Sequence, residues 1–554
     1  MPFPLGGVRA CHTMLLDIIR PSSPEFGSTP SRPAWTRARL TPFTKTVYFA
    51  LLVGTAWILI ATLERHLEIS IFGGSSTNHI DTPGAEEAAT STTTPSTSGH
   101  SGFLGSIWGS RPQSDDEKTS SSSSSSKPST TTSPSALLAQ EWTLAEFKKV
   151  WLATELGGEP VNTSSIAELC DSTTWRSDVA LQMVHSRGGI ANVRGTILDF
   201  LHFAMRTGSS HIVMPAYVKR TDTTLDWMDE SHGYWPFSNL FDADFLLETM
   251  HTACPQLNIY QSADEIPNTV AVEETFNVPN ARSDKAPDQN NEHTVESFRA
   301  WLEADGRSGY DALALNLVNV TATLWAYNVG PYPRLRRALG RLCKINPQIR
   351  ELAATAIHTL RSAHNLSASI DPRAEIYPGA YYGMHLRTEA DATQVGWAEA
   401  FGGFEAQTDI HLEQCAKMGL NVIYVASGNE EDISRFADKA METANITVVS
   451  KKDLILGSKD RAKLDELTWD QHGALDWEIL ARSSFFSGPA MSSFSWNVAL
   501  RRHFYLEDPR LDKSNPYGIQ EVVPHVAFDD GLSRIMLRDH LDAIEIMAPN
   551  GMFP

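Results

Sequence analysis

Short apolar segments alternate with amphipathic ones through the second half of the chain, and this alternation is the strongest constraint on its fold. YYGMHL, NVIYVAS and ITVVSK predict strands, while DIHLEQCAKMG and EEDISRFADKAMETA predict the helices between them. FFSGPA predicts the end of a further strand. The helices on either side of it are predicted by ALDWEILARSS and SSFSWNVALRRH. Strands that alternate with helices of this length form parallel β-α-β units. The fold class is therefore α/β.

The sequence before this region also alternates. EWTLAEFKKVWLATEL predicts a helix, SRGGIANVRG a glycine-containing loop, GTILDFLHFAMRTG an amphipathic helix and HIVMPAY a strand. A polar, proline-dotted stretch over 263–291 predicts an insert or loop, and 334–363 predicts one or two helices. Folded sequence is thus expected from about residue 141.

An uncharged apolar run of 17 residues, Val47–Leu63, predicts one membrane-spanning helix within 46–64. Residues 1–45 carry six Lys and Arg against two acids, so the positive-inside rule places that tail in the cytosol. Residues 65–140 are rich in Ser, Thr and Pro and predict a disordered stalk. The interpretation is a single-pass type II protein of the Golgi or ER membrane, with the rest of the chain lumenal.

Two residue types bear on that compartment. Cys170, Cys254, Cys343 and Cys415 would face the lumen, where they either form two disulfides in one of three connectivities or remain buried thiols. N-glycosylation triplets of the form N-x-[ST] begin at four asparagines: Asn162, Asn319, Asn365 and Asn445.

The formal net charge is −20, which argues against a nucleic-acid partner because phosphate backbones attract cations. An anionic ligand would have to be held by a local positive pocket. The segment YYGMHLRTEADA offers one, since His385 and Arg387 lie two apart on a predicted strand and so share a face. Arginine suits phosphate oxygens. Glu389 and Asp391 follow in the loop and are the candidates for a catalytic base.

Polar groups stand at the ends of three predicted strands, in YYGMHLRTEADA, NVIYVASGNEED and FFSGPAMSS. Ligands of parallel sheets bind beyond the carboxyl ends of the strands. We therefore expect these three segments to converge on one site.

Four segments, taken in order, resemble the GDP-fucose protein O-fucosyltransferase superfamily, especially its plant-type branch. They are INPQIRELAATAIHTLRSA, YYGMHLRTEADA, NVIYVASGNEED and GALDWEILARSSFFSGPAMSSFSWNVALRRH. SRGGIANVRG is similar to that family's N-terminal GG-x-N-x-R loop, and the resemblance covers roughly 180–550. The sequence departs from the family where Thr388 replaces a phenylalanine, MSSFSWNVA replaces GN-x-A, and Arg501, Arg502 and His503 replace GHR.

The resemblance implies a GT-B fold, with a Rossmann-like acceptor lobe over 141–365 and a nucleotide-sugar lobe over 366–554. It implies an inverting, metal-independent transfer of fucose from GDP-fucose to a hydroxyl on a protein or glycan, with no cofactor. Arg387 would clamp the diphosphate and help GDP depart, His385 would shape the same pocket, and Asp476 would contact guanine. The remaining donor-binding residues implied are the phosphate-facing Ser492, Ser493, Phe494 and Ser495 and the loop residues Gly188, Gly189, Asn192 and Arg194.

Two alternatives stay open at this stage. The same fold could use another nucleotide sugar, such as a rhamnosyl donor, or the chain could be a lumenal carbohydrate-binding protein without turnover. Asp242-Ala-Asp244 has the form of a metal-nucleotide motif from a different transferase fold, but it precedes a predicted helix inside the resembling region, so no metal is expected.

Overall fold

Two β-sheets, one from each half of the folded sequence, organise the computed structural model of the chain. The structure describes residues 141–156, 160–220, 230–279, 290–304, 309–311, 313–327, 329, 332–394, 396, 402–505, 526–536 and 551–554. The predicted tail, membrane span and stalk (1–45, 46–64 and 65–140) lie outside these residues. In the described part, no helix combines the length and the apolar character that crossing a membrane requires.

Fourteen α-helices are found in the described part of the chain. Their bounds are α1 Leu144–Leu152, α2 Ser164–Ser172, α3 Ile190–Thr207, α4 Ala243–Ala253, α5 Asn290–Glu303, α6 Pro333–Gly340, α7 Pro347–Ala363, α8 Ala390–Gln394, α9 Gly403–Lys417, α10 Glu430–Ala444, α11 Lys451–Leu454, α12 Ser458–Asp465, α13 Trp469–Ala481 and α14 Ser493–Tyr505. The predicted region 334–363 therefore forms two helices, α6 and α7.

Thirteen strands accompany them within the same residues. Their bounds are β1 Arg176–Val184, β2 Ser209–Val213, β3 Ala216–Val218, β4 Tyr234–Pro236, β5 Asn258–Tyr260, β6 Thr269–Ala271, β7 Leu315–Thr321, β8 Tyr382–His385, β9 Val422–Ala426, β10 Thr447–Val449, β11 Phe485–Pro489, β12 Val526–Asp529 and β13 Ser533–Met536.

The first sheet is parallel, in the order β5-β2-β1-β7-β6, with β1 at its centre. Leu181 of β1 pairs with Ile212 on one side and Val318 on the other. A small antiparallel ladder of β3 and β4 lies beside this sheet, because the amide of Val218 bonds to the carbonyl of Ser186 just beyond β1. In the stretch 263–291, expected to be an insert or loop, the described residues form a 3₁₀ turn, the short strand β6 and the start of α5.

The second sheet has the order β10-β9-β8-β11-β13-β12 and is parallel except for β12 at its edge. Every residue of β8, β9 and β11 is buried, so both faces of these strands are covered, as is usual for parallel strands. The prediction of an α/β fold with parallel strands and intervening helices is confirmed. The division into lobes at residue 365 stays a prediction.

Helix ends follow from local sequence. Asn429 caps α10 by accepting a hydrogen bond from the amide of Asp432, and the helix closes at Asn445 in the left-handed conformation. Thr468 and Gln471 form a capping box at the start of α13. The predicted helix EEDISRFADKAMETA therefore matches α10 residue for residue.

Helices α13 and α14 join the first half of the fold, which contains the first sheet, to the second half, which contains the second sheet. Helix α13 contacts β8 and β9 of the second sheet and also α3, which follows the central strand of the first sheet. Helix α14 contacts β11 and β13 and reaches α3 as well. Both helices therefore pack on the second sheet and on α3 at the same time.

One disulfide links Cys170 at the end of α2 to Cys254 just after α4, across 84 residues of sequence. Cys343 and Cys415 are buried free thiols. The sequence left open whether these four cysteines form two disulfides or remain thiols. In the described residues, two of them form one disulfide and the other two are unpaired.

Reduction of Cys170–Cys254 should destabilise the folded chain by about 2–5 kcal/mol, because the bridge restricts a long loop in the unfolded state. We expect dithiothreitol to lower the melting temperature of the wild type. The double variant Cys170→Ser/Cys254→Ser should melt at that lower temperature with or without reductant. A wild-type melting temperature that dithiothreitol leaves unchanged would show that the bridge is absent.

A buried ion pair holds α11 and α13 against β9. The Nζ of Lys451 donates to Asp476 at 2.7 Å, and the hydroxyl of Tyr424 donates to the other carboxylate oxygen at 2.6 Å. Lys451 and Asp476 are only 6% and 5% exposed. Burial raises the pKa of Asp476, and the ammonium of Lys451 offsets this only in part.

Replacing Lys451 with Met should cost about 3–5 kcal/mol at neutral pH, because it leaves the Asp476 carboxylate buried without its cation. A pKa raised in the folded state costs stability as pH rises, so the deficit should be smaller at pH 5 than at pH 7. The neighbouring Lys452→Met is the matched control, since Lys452 pairs with Glu430 at the surface and should change stability by less than about 1 kcal/mol. Urea denaturation at both pH values measures this difference, and equal losses in the two variants would contradict the prediction.

Candidate active site

The carboxyl ends of β8, β9 and β11 meet at one edge of the second sheet, as the strand-end argument predicts. His385, the last residue of β8, lies 2.8 Å from the hydroxyl of Ser495 in the segment after β11, measured from its Nδ1 atom. Glu389, in the loop after β8, accepts a hydrogen bond of 2.8 Å from the amide of Gly428 after β9. Three segments far apart in sequence are thereby joined by direct contacts.

Arg387 is held between the two acids that follow it. Its Nη1 atom donates to Glu389 at 2.6 Å and to Asp391 at 2.9 Å, and its Nη2 atom donates to Asp391 at 2.7 Å. Burial lowers the pKa of the guanidinium, but the two carboxylates outweigh that effect and the net pKa is raised. Burial likewise raises and Arg387 lowers the pKa of each acid, and both end below their ordinary values. The cluster is therefore fully ionised near neutral pH.

The two acids differ in how firmly they are fixed. Glu389 is buried, and its second oxygen accepts from the amide of Gly428 and the hydroxyl of Ser427. The side chain of Asp391 is 30% exposed and stands in α8, a helix of only five residues. Glu389 is the permanent partner of Arg387, and Asp391 is the one that can be displaced at low cost.

The backbone of Arg387 is fixed by α9. Its amide donates to the side-chain oxygen of Gln407 at 3.1 Å, and the amide nitrogen of Gln407 donates back to the carbonyl of Arg387 at 3.2 Å. The next residue, Thr388, keeps a buried hydroxyl that has no partner in the described part of the chain. Sequence analysis did not identify Gln407, since nothing in its local pattern points to the strand end.

His385 lies behind this cluster. Burial lowers its pKa to about 4, so the imidazole is neutral at physiological pH. Its ring packs on Phe494 with the centroids 4.8 Å apart. Gly488 of β11 permits this packing, because a side chain there would overlap the Ser495 hydroxyl and lie 3.1 Å from the β-carbon of His385.

Helix α14 begins at this edge with Ser493, and it has 13 residues. The first backbone N–H groups of a helix have no partner within it, and together with the helix dipole they favour an anion. Ser492 and Ser495 are buried, whereas Ser493 and Phe494 are partly exposed. The structure therefore brings the predicted phosphate loop, His385 and the Arg387 cluster to the same strand ends.

The predicted donor loop stands at the end of β1. Gly188 has φ +101°, and a β-carbon there would lie 2.7 Å from the side-chain amide of Asn192. Both facts require glycine. Asn192 keeps a buried side-chain oxygen with no partner among the described residues.

Arg194 is not brought to this loop. It is 4% exposed, and its guanidinium donates to the main-chain carbonyls of Gly340, Phe553 and Pro554. Its role in the structure is to join α3 to the end of α6 and to residues 551–554. The resemblance placed Arg194 among the donor-binding residues by motif position, and the geometry gives that position a packing role instead.

A second arginine does lie beside the donor loop. A β-carbon on Gly189 would be 3.3 Å from Nη2 of Arg220, and Arg220 forms a buried ion pair with Asp470 in the first turn of α13. Arg220 also lowers the pKa of Asp391, although Arg387 does so more strongly. The pair is a contact between the first and second halves of the fold.

Sequence analysis missed Arg220. The available signal was the pair of cations, Lys219 and Arg220, directly after the run HIVMPAYV, much as Arg387 follows YYGMHL. Its partner Asp470 lies 250 residues away, and the pattern of neither segment points to the other.

Asp476 makes no contact with the Arg387 cluster. Both of its carboxylate oxygens are taken by Tyr424 and Lys451 in the core described above. The guanine-binding role implied by the resemblance stays a prediction, and it would require Asp476 to share or exchange one of these partners.

The four predicted glycosylation sites occupy different surroundings. Asn162, Asn365 and Asn445 are exposed, and the last two have left-handed backbones at helix ends. Asn319 lies half-buried in β7, between β1 and β6, which is a poor place for a glycan because acceptor sites lie in surface loops. Glycosylation at all four stays a prediction.

Within the described residues, no cluster of three or more His, Cys, Asp or Glu side chains could hold a metal ion. Asp242 of the D-x-D sequence caps α4 by accepting a hydrogen bond from the amide of Phe245. That local role accounts for the motif without a ligand.

The assembled edge can bind and stabilise negative charge. It offers a fixed guanidinium, a helix N-terminus and a neutral histidine, with a glycine loop and a second arginine opposite. These groups suit phosphate oxygens and a leaving group that gains charge as it departs.

Comparison with known proteins gives one family and a set of solved structures. Residues 182–505 match the family described as GDP-fucose protein O-fucosyltransferase. A comparison with curated protein sequences gives no match.

Among solved structures, apo POFUT1 is 12% identical, with 61% of this chain and 98% of that chain covered and a TM-score of 0.35. POFUT1 in complex with GDP-fucose is 13% identical, with coverages of 60% and 95% and a TM-score of 0.34. An arginine-to-lysine mutant of Arabidopsis thaliana FUT1 in complex with GDP is 11% identical, with coverages of 64% and 75% and a TM-score of 0.29. Similarities this slight support no conclusion about individual residues.

The family match covers more than half of the chain and includes the donor loop, the Arg387 cluster, Asp476 and the start of α14. On this evidence the chain belongs to the GDP-fucose protein O-fucosyltransferase family and is a fucosyltransferase, that is, a glycosyltransferase.

Proposed function

We propose that this chain transfers fucose from GDP-fucose to a hydroxyl on a protein or glycan, with inversion at the anomeric carbon and without a metal. The observation that carries the proposal is Arg387, which is fixed by Glu389 and Gln407 at a strand edge beside the N-terminus of α14. Family membership supports fucose as the sugar and GDP as its carrier.

The charge balance of the cluster suggests how the donor is admitted. Arg387 with Glu389 and Asp391 sums to −1, which repels a diphosphate. Glu389 is tied to Gly428 and Ser427, so Asp391 is the carboxylate that gives way and frees one edge of the guanidinium. The diphosphate then replaces Asp391 in a two-pronged contact of the kind that arginine makes with phosphate.

Bond cleavage places negative charge on the departing diphosphate. Arg387 and the first N–H groups of α14 are already oriented, so they stabilise that charge without reorganising. The neutral imidazole of His385 supports Ser495 at the same helix end and adds no competing charge. These groups supply the electrostatic help that a metal gives in other transferases, and this supports the metal-independent proposal.

The proposed compartment is the lumen of the Golgi or ER, with the chain anchored as a type II membrane protein. The apolar run Val47–Leu63 and the basic tail before it favour this arrangement. The Cys170–Cys254 bridge is also typical of an oxidising compartment.

The test uses the purified full-length chain with GDP, GDP-fucose and uridine-diphosphate sugars, and measures both thermal stabilisation and donor hydrolysis. We expect stabilisation by GDP and GDP-fucose and slow release of GDP from GDP-fucose. Arg387→Lys keeps the positive charge beside Glu389 but loses the planar guanidinium that can donate two parallel hydrogen bonds to a phosphate. It should lower the rate of hydrolysis roughly 10²- to 10³-fold. An excess of EDTA should leave the wild-type rate unchanged.

Arg435→Lys is the matched control, because Arg435 is exposed on α10 and pairs with Glu405 at the surface. It should hydrolyse GDP-fucose at the wild-type rate. A response to uridine donors alone would overturn GDP-fucose as the donor, and loss of activity in EDTA would overturn metal independence. Binding of GDP without any turnover would favour the carbohydrate-binding alternative.

A further inference from the structure

We propose that His185, oriented by Glu230, is the general base that takes the proton from the acceptor hydroxyl. The proposal rests on the proposed function and assigns the step that the donor-side residues leave open. It concerns a pair formed by the residue that follows β1, the central strand of the first sheet, and a residue just before β4.

His185 directly follows β1, the central strand of the first sheet, and precedes the donor loop at Gly188 by three residues. Ligands of parallel sheets lie beyond such strand ends. The same loop touches Arg220, which pairs with Asp470 on the second half of the fold and acts on Asp391. His185 therefore stands on the acceptor side of the expected donor position.

The backbone of His185 has φ +64°, in the left-handed region that a non-glycine residue enters rarely. This conformation costs free energy, and such residues persist where the surroundings fix them, often at functional sites. In this conformation the side chain contacts Glu230.

The pair has the geometry of an oriented base. The Nδ1 atom of His185 lies 2.8 Å from one carboxylate oxygen of Glu230, and the other oxygen accepts from the hydroxyl of Tyr234 at 2.6 Å. Arg187 also pairs with Glu230. Burial raises the pKa of Glu230, but these hydrogen bonds lower it to about 2, so the group is a carboxylate.

Two groups lie at Nδ1, a carboxylate oxygen of Glu230 at 2.8 Å and the Nη2 atom of Arg187 at 3.3 Å. The shorter contact, with the carboxylate, needs the proton on Nδ1, and this tautomer leaves the lone pair on Nε2. In the part of the chain that the structure describes, Nε2 has no hydrogen-bond partner, and the His185 side chain is 48% exposed. A base held by an acid at one nitrogen and open at the other is the arrangement used to activate hydroxyl nucleophiles.

The two acids first named as base candidates are less suited to this step. Glu389 and Asp391 both accept hydrogen bonds from Arg387, which lowers their pKa values and weakens them as proton acceptors. Glu389 is also buried. They stand beside the leaving group, whereas an inverting attack comes from the opposite face of the sugar.

The step balances as follows. The acceptor oxygen forms a bond to the anomeric carbon while the bond from that carbon to the diphosphate oxygen breaks, and its electron pair leaves with GDP. The hydroxyl proton passes to Nε2 of His185 and is later released to water. Glu230 stabilises the imidazolium and is not itself protonated.

The test uses the full-length chain and GDP-fucose hydrolysis, with water in the place of the acceptor. His185→Asn suits the left-handed backbone but has no base, and should lower kcat roughly 10²-fold or more with unchanged affinity for GDP. Wild-type kcat should fall toward acidic pH, because a protonated imidazole is no base, and the variant should lose this dependence. The charged or titratable groups facing His185 are Arg187, Glu230 and Tyr234, and His385 already loses its proton at about pH 4.

A second variant separates catalysis from folding. His185→Gly relieves the backbone strain, and added imidazole should restore part of its hydrolysis rate, which a purely structural role would not allow. His251→Asn, at an exposed position in the last turn of α4, is the control and should match the wild type.

Wild-type turnover with kcat and pH dependence retained in His185→Asn would overturn the assignment of His185 and leave the proposed function standing. A loss of GDP affinity equal to the loss of rate would overturn it too, because it would make His185 a donor-binding residue. Failure of the wild type to hydrolyse GDP-fucose would instead overturn the proposed function, and the base with it.

Discussion

The bond between Arg387 and Glu389 is the interaction on which the candidate site depends. Glu389 is itself anchored by the amide of Gly428, so one carboxylate joins the ends of β8 and β9 and aims the guanidinium at the same time. A buried ion pair adds little net stability when the cost of desolvation is included. Its value here is positional, since a cation fixed at a strand edge can act on a departing diphosphate without moving first.

The net charge of −20 makes this local arrangement necessary. A chain so acidic does not attract a nucleotide sugar by its overall field, and the donor must meet cations at short range. Arg387 and Arg220 provide them from opposite halves of the fold, each already paired with an acid. On the proposed function, donor binding is an exchange of carboxylate for phosphate, and the affinity for the donor should depend on how easily the carboxylates are released.

Much of the fold could be predicted from the sequence because its central strands are buried on both faces. Runs such as NVIYVAS have no polar interruption, and the helices between them carry their own caps, so strand and helix are specified locally. The meeting of His385 with the Ser492–Ser495 segment followed from the rule that parallel strands end at one edge.

The local sequence pattern could not predict the contacts that pair distant segments of the chain. Asp470 and Arg220 are 250 residues apart, and the choice of Cys254 as partner for Cys170 depends on how α2 and α4 pack. Arg194 shows the converse, because its motif position suggested the donor while its guanidinium reaches three main-chain carbonyls.

The ion pair of Arg220 with Asp470 has a kinetic consequence. It is buried, and it links Arg220, beside the donor loop, to the first turn of α13. The second carboxylate oxygen of Asp470 has no hydrogen-bond partner in the described part of the chain. Separating the two halves of the fold would expose this pair to water and break its direct contact. Salt screens such a pair weakly. On the proposed function, release of the nucleotide by opening of the two halves would require this contact to break. Release would then depend on residues other than those that act on the bond to fucose.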